Sequence, residues 1–400
     1  MQVEIKLARL HTAQAEIRES KARFIVLACG RRFGKTELAK LELIDRACAH
    51  GAATWWLAPT YRMANQVWRD LRTTTQNLSG TTINESLYRL DFASGGSITI
   101  RSTHAPDLLR GAGLDFVVLD EAAYMPPQTW AEVVRPMLLD RQGGALFLST
   151  PNGRNWFHDL YALGQDPEQS DWASFQFPSS ANPLIAESEF EAIHQTTPER
   201  IWRAEYLAEF VDDAGVVFRG LREAAILDAG SGPQEGHRYV MGCDWGREQD
   251  FTALVVIDAT TRQMVALDRF QHIGWHLQRE RLKTLAQRWQ IDVIWAEANS
   301  MGSVNIEALQ RDGLPVRPFM TTSRSKAPLI ESLSLAIERG DITLINNATL
   351  LNELSAYTLE RLAGGGYRYN APSGQHDDTV IGLALAWYGV QMGGGRMSFA

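Results

Sequence analysis

The sequence is short of several things, and each shortage excludes a class of protein. Among 400 residues there are three cysteines, Cys29, Cys48 and Cys243, and no C-x-x-C pair. That leaves no disulfide framework and no thiolate zinc site, and it fits a reducing compartment. No apolar run is long enough to span a bilayer. The opening MQVEIKLARL carries acid and lacks an apolar signal core, so no membrane segment and no secretory leader are expected. There is no internal repeat and no low-complexity tract. Positive charge is not in excess: the net charge is -8. A surface coated for nucleic acid is thereby excluded, while a local basic groove is not. What remains, 45% apolar and 22% charged residues, is ordinary globular composition, and the length suggests more than one domain.

The stretch Phe24 to Thr36, FIVLACGRRFGKT, organises the first half. Phe24 to Ala28 is a continuous apolar run, the pattern of a strand buried on both faces of a parallel sheet. Gly30 and Gly34 permit a tight turn, and a helix from Glu37 to Ala49 is expected beyond it. Strand, glycine turn, helix N-terminus and lysine together make a phosphate cradle. Lys35 is placed to reach the outer phosphates of a nucleotide and the Thr36 hydroxyl to hold Mg²⁺. The full G-x-x-x-x-G-K-[ST] template is not met, because Cys29 stands where it has glycine. Arg31 and Arg32 either line the cradle, sense phosphate, or pair with acids nearby.

Strands are expected at Trp55 to Ala58, Phe116 to Leu119 and Ala145 to Leu148, with a helix from Tyr61 to Leu71. Leu87 to Phe92 and Ile98 to Arg101 read as a hairpin around Ser94-Gly95-Gly96. Strands alternating with helices imply a mostly parallel sheet. A helix from Pro198 to Phe210 follows, and Gly230 to Pro233 reads as a linker. Beyond it, strands are expected at Tyr239 to Asp244, Thr252 to Asp258, Met264 to Phe270 and Val293 to Ala296. Helices are expected at Trp275 to Trp289 and Thr379 to Val390.

Carboxylates punctuate these strands. Asp120 and Glu121 close the strand Phe116 to Leu119, a Walker B arrangement. The first acid is suited to Mg²⁺, the second to deprotonating the water that attacks the γ-phosphate. Ser149 and Thr150 end the next strand, where ligands bind in open α/β sheets. They either sense the γ-phosphate or simply end the strand. Arg110 is a candidate for the arginine that a phosphoryl transition state requires. In the second half, Asp244, Glu297 and the Asp377-Asp378 pair are acids at the ends of apolar elements. Such acids are costly unless they bind metal or are paired. Together they suit two hard cations clamping a phosphodiester, with Asp250 as an outer ligand. Helix capping is the alternative for Asp377-Asp378. His376 is read as a loop histidine within reach of a proton transfer.

The ordered set LHTAQ, GRRFGKT, LRGAGLDFVVLDEA, STPNG, RAEYLAEF, GCDWGREQDFTAL, WAEAN and HDDTV resembles the large terminase subunit of tailed bacteriophages. The resemblance runs from about Leu10 to Val390. It implies an α/β chain: a P-loop ATPase domain of the ASCE type with a mostly parallel sheet, then an RNase H-like nuclease domain. The divisions expected are 1–172 for the ATPase core, 173–235 for a lid and linker, 236–393 for the nuclease and 394–400 for a tail. By resemblance Gln14 contacts adenine and Arg110 is a finger acting on a neighbouring subunit. Ser149 to Pro151 couples hydrolysis to movement, and Asp244, Glu297, Asp377 and Asp378 bind nuclease metals. The cofactors implied are ATP with Mg²⁺ in one half and Mg²⁺ or Mn²⁺ in the other. The partners implied are double-stranded DNA, the portal protein of the procapsid, a small terminase subunit, and further copies in a ring on the portal. The site of action implied is the host cytoplasm, transiently at the portal vertex. A helicase- or repair-type ATPase-nuclease is the alternative.

Overall fold

Apolar runs flanked by turn residues become the strands of two main sheets, with two two-stranded sheets beside them. The structure is a computed structural model that describes residues 9–211, 215–246, 250–299, 302–361 and 367–393. Two compact units divide the chain between residues 214 and 215.

In the first unit the strands are β1 (Phe24–Cys29), β2 (Ala53–Ala58), β3 (Thr82–Asn84), β4 (Arg89–Asp91), β5 (Ser97–Ser102), β6 (Phe116–Asp120), β7 (Gly144–Ser149) and β8 (Trp172–Phe177). They form one sheet in the order β3-β4-β5-β2-β6-β7-β1-β8. Only the edge hairpin β3-β4-β5 is antiparallel; the remaining pairings are parallel. The helices are α1 (Thr12–Glu19), α2 (Lys35–Ile44), α3 (Tyr61–Thr75), α4 (Arg135–Met137), α5 (Trp156–Leu163), α6 (Glu187–Thr196) and α7 (Glu199–Ile201). Apolar clusters cover both faces of the sheet, one around Leu27, Trp56 and Leu38, the other around Val26, Phe147 and Trp130. Two-sided burial explains why these strands read as unbroken apolar runs.

The second unit centres on a five-stranded sheet. Its strands are β9 (Ala225–Leu227), β10 (Tyr239–Asp244), β11 (Thr252–Asp258), β12 (Gln263–Phe270), β13 (Val293–Glu297), β14 (Val316–Phe319), β15 (Leu344–Ile345), β16 (Thr358–Arg361) and β17 (Tyr367–Asn370). The main sheet runs β12-β11-β10-β13-β14: three antiparallel strands, then two parallel ones. Its helices are α8 (Leu221–Ala224), α9 (Trp275–Trp289), α10 (Gly302–Arg311), α11 (Ser323–Glu338), α12 (Ala348–Ala356) and α13 (Asp378–Gly393). Helix α13 lies on the central strand β10. A Cβ on Gly242 would strike the backbone of Gly382 and come within 2.5 Å of the Ala386 nitrogen. Glycine is thus required there for helix and strand to approach.

Two expected helices need correction. The helix expected to Ala49 ends at Ile44 and passes into a π turn, Asp45–Ala49. The helix expected from Pro198 to Phe210 is only α7 followed by a π turn, Trp202–Tyr206; Ala208, at φ 60°, breaks it. The two units meet about fifteen residues before the Gly230 to Pro233 linker. Val217, Phe218, Ala224 and Ala225 are buried in the core of the second unit, and β9 pairs with β15. Nor does residue 172 end the first sheet, since β8 pairs with β1 along its whole length. Residues 394–400 lie outside the described residues.

Candidate functional sites

In the first unit, the carboxyl ends of three neighbouring strands, β6, β7 and β1, bring the candidate nucleotide residues together. Register places Asp120 beside Leu148 and Ala28 beside Ser149. The loop after β1 therefore opens next to Ser149 and Thr150, with Asp120 and Glu121 on the far side.

The phosphate loop is braced from several directions. Lys35 Nζ donates to the carbonyls of Cys29 and Gly30 at 2.7 and 3.0 Å. Gln14 Nε2 donates to the Gly34 carbonyl at 2.9 Å, while Gln14 Oε1 accepts from the His11 N–H at 3.0 Å. Gln14 thus supports the loop itself, which the adenine reading did not foresee. Arg31 is not left to phosphate alone. Its Nε meets Glu205 Oε2 at 2.6 Å, and its N–H donates to the Glu205 carbonyl at 2.7 Å. Arg32, at φ 62°, is exposed, and its carbonyl accepts from Asn182 Nδ2. Gly30 has no room for a Cβ, which would lie 2.5 Å from both Ser179 Oγ and the Tyr206 carbonyl. Gly34 sits at φ 102°, and Thr36 lies in the first turn of α2.

Burial first, and then the charge of Glu121, push the Asp120 carboxyl up to about 7, although Lys35 opposes this. Glu121 sits in the left-handed region at φ 55°, an arrangement that costs about 1–3 kcal/mol in a non-glycine residue and clusters at working sites. Its Oε2 accepts from Ser149 Oγ at 3.4 Å. Ser149 and Thr150 are both buried. Arg110 stands apart from this centre. Its guanidinium meets Asp107 Oδ1 at 3.1 Å and the Glu132 carbonyl, and half of its side chain faces solvent. A residue so placed fits action on another subunit.

In the second unit Asp244 ends β10 and Glu297 ends its parallel neighbour β13. The register Cys243 to Ala296 sets the two acids side by side. The Asp244 carboxyl is raised well above its ordinary value. Burial is the chief cause; then come the charge of Glu297 and a hydrogen bond with it, then Asp378 and Asp377. Asp378 opens α13, where burial, then Glu353, raises its carboxyl to about 7 against the opposing charge of Arg269. Asp377 is engaged differently, with Lys326 Nζ 3.0 Å from its Oδ2. Asp250 is exposed, 3.9 Å from His376 Nδ1, and His376 also lies 3.7 Å from Asp378. Among the described residues no three His, Cys, Asp or Glu side chains already surround one point as metal ligands do. The donor set nevertheless fits a hard cation. It is all oxygen, burial and the neighbouring acids hold the Asp244 carboxyl well above its ordinary value, and Asp378 Oδ2 is buried without a hydrogen bond.

Four residues at these sites gave no sequence signal. Glu205, 2% exposed, pairs with Arg31. Glu353, Arg269 and Lys326 come from α12, β12 and α11 to surround the HDDTV stretch. Only the clustering of carboxylates in space reveals them. Both sites also share an inert neighbour. Cys29 and Cys243 are each fully buried, just before Gly30 and Asp244. Burial pushes the Cys29 thiol up to about 12 and the Cys243 thiol well above its ordinary value.

Comparison with known proteins identifies the family. Residues 26–225 match the family model described as terminase large subunit, T4likevirus-type, N-terminal. Residues 241–386 match the terminase RNaseH-like domain. The large terminase subunit of Thermus virus P23-45 is 30% identical over 430 residues, covering 94% of this chain and 87% of that protein. A large terminase from another thermophilic bacteriophage shares the fold with a TM-score of 0.55 at 14% identity, over 96% of this chain and 99% of its own. The large terminase nuclease of phage G20c, solved with bound magnesium, is 30% identical over 44% of this chain and 97% of its own, with a TM-score of 0.41. The chain belongs to the family of terminase large subunits of tailed phages, with an ATPase domain followed by an RNase H-like nuclease domain.

Proposed function

We propose that the chain is a packaging motor, driving double-stranded DNA through the portal into a procapsid by ATP hydrolysis and cutting concatemeric DNA with its nuclease. The observation that carries this reading is the presence, in one chain of this family, of both a braced phosphate loop facing Glu121 and a set of strand-end acids around Asp244. Lys35 neutralises the outer phosphates, and Thr36 and Asp120 hold Mg²⁺. Glu121, steered by Ser149, takes the proton of the attacking water. Thr150, Arg31 and Arg32 face the same phosphates, while Gln14 braces the loop and contacts adenine. Arg110 serves the active site of the next subunit in a ring.

In the nuclease, Asp244, Glu297, Asp377 and Asp378 hold the divalent cations, with Asp250 at the rim. Mg²⁺ or Mn²⁺ bound there supplies charge stabilisation at the attacking and leaving oxygens of a phosphodiester. The chain works in the host cytoplasm, docking transiently on the portal vertex together with a small terminase subunit.

The test compares ATPase stimulation by portal-bearing procapsids and by forked DNA. Stimulation by procapsids is expected. Stimulation by forked DNA alone would replace this reading with the helicase or repair class.

A further inference from the structure

We propose that Glu353 is a positioning residue of the nuclease site, and that its work is to hold Arg269 away from Asp378. The inference rests on the nuclease reading of Asp244 and its neighbours and deepens it.

Glu353 lies on α12, 7% exposed, and its two oxygens do different things. Oε2 accepts from the Thr379 N–H at 2.9 Å and from Thr379 Oγ1 at 2.6 Å. Thr379 is in the first turn of α13 and fully buried, so its N–H has neither an intrahelical partner nor water. A carboxylate borrowed from another helix caps it, favoured there by the positive end of the helix dipole. This fixes the first turn of α13, and with it Asp378.

Oε1 faces the other way. Arg269 Nη2 lies 2.8 Å from Glu353 Oε1 and 3.7 Å from Asp378 Oδ2. The first is an ion-pair distance with direct contact; the second is beyond hydrogen-bond reach. The guanidinium carbon also sits 3.3 Å from the centroid of the Phe251 ring, which limits where the head can swing. Arg269 is thus shared unequally between two buried carboxylates, and Glu353 has the larger share. The consequence concerns Asp378, whose Oδ2 is buried and without a hydrogen bond. Without the charge of Glu353, the nearest anion for a buried arginine is Asp378 itself. A direct Arg269–Asp378 pair would occupy the oxygen that a cation needs. Losing one member of a buried charge group leaves the remainder to re-pair, because an uncompensated buried charge is strongly unfavourable.

The test uses the full chain without nucleotide. Site metal is defined as the Mn²⁺ that wild type binds and Asp244→Asn does not, read by electron paramagnetic resonance. Nicking of supercoiled DNA is followed in parallel. Glu353→Gln keeps an oxygen for Thr379 but loses the charge that holds Arg269. The expected result is a Mn²⁺ midpoint raised by about 10- to 100-fold, as changes behind metal ligands commonly give. Adding Arg269→Gln to Glu353→Gln should recover most of that loss, a rescue that general damage to the fold would not produce. A wild-type midpoint for Glu353→Gln, or a double variant no better than the single one, overturns the proposal. Should Glu353→Gln lack a cooperative melting transition, the double variant Glu353→Gln, Arg269→Gln decides, since it removes the arginine together with the charge that holds it. A midpoint near that of wild type supports the proposal, and one raised about 10-fold or more, as changes behind metal ligands commonly give, overturns it. Site metal that binds as described without any nicking would overturn the nuclease reading while leaving the positioning role intact.

Discussion

At the scale of single residues, the two sites share a device: a carboxyl whose charged form is disfavoured first by burial and then by a neighbouring acid. In the nucleotide site the device falls on Asp120, with Glu121 beside it. Lys35→Ala should abolish ATP hydrolysis, because the outer phosphates lose their charge partner. Glu121→Gln should bind ATP as wild type does and turn it over at least about 100-fold more slowly, the loss expected on removing a general base. Nucleotide-binding and single-turnover assays separate the two effects. In the nuclease site the device gives a pH dependence. The Asp378 carboxyl is raised from its ordinary 3.8 to about 7, so the fold favours its protonated form. Its contribution to stability is full below pH about 4 and is lost as pH rises through about 7. Metal-free Asp378→Asn should therefore melt higher than wild type at pH 8, with the advantage fading by pH 4. Melting curves in a chelator, across that range, check the sign. Added Mn²⁺ should stabilise wild type at pH 8 and leave the variant unmoved, since only a competent ligand set binds it.

At the scale of elements, the close approach of β10 and α13 is the feature on which the nuclease acids depend. Gly242→Ala would drive a methyl group into the Gly382 backbone. Overpacking of this kind costs about 1–3 kcal/mol. Because Asp244 and Asp378 sit on the two elements forced apart, nicking should fall further than the melting temperature suggests. Comparing both measurements with those for Gly274→Ala, where the new methyl meets nothing, checks this. Most of these strands could be read from the sequence, since two-sided burial leaves unbroken apolar runs such as Phe24–Cys29 and Thr252–Asp258. The π turns at Asp45–Ala49 and Trp202–Tyr206 could not, because their side-chain pattern is that of an ordinary helix. The strand-end acids stood out in the sequence as candidates since each interrupts an apolar run. Glu353 and Glu205 did not: each lies in a helix where an acid is unremarkable, and only distant packing gives it a partner.

At the scale of the whole molecule, the nuclease unit begins with residues that the expected divisions gave to the lid and linker. Val217, Phe218, Ala224 and Ala225 are buried in its core, and each large side chain so buried is worth about 1.5–3 kcal/mol. A fragment starting at Gly215 should therefore fold and nick DNA with Mn²⁺ in the absence of ATP. One starting at Gly236 should melt at a clearly lower temperature or precipitate. Differential scanning calorimetry of the two fragments decides between the boundaries. Equal melting would move the functional start of the unit back to the linker. Nicking should show little sequence preference, because no base-reading module is evident in the sequence.

The buried thiols of Cys29 and Cys243 turn this division into something that can be timed. The thiolate is the form that attacks an aqueous thiol reagent, and burial disfavours that form at both residues while their strands stay closed. Modification of each must wait for its strand to open, so the two labelling rates are two independent clocks, one in each half of the chain. Each clock ticks one residue away from a working group. The native sequence, with no label introduced, thus reports how often the ATP loop and the nuclease acids come apart. It also reports whether nucleotide slows one clock without touching the other.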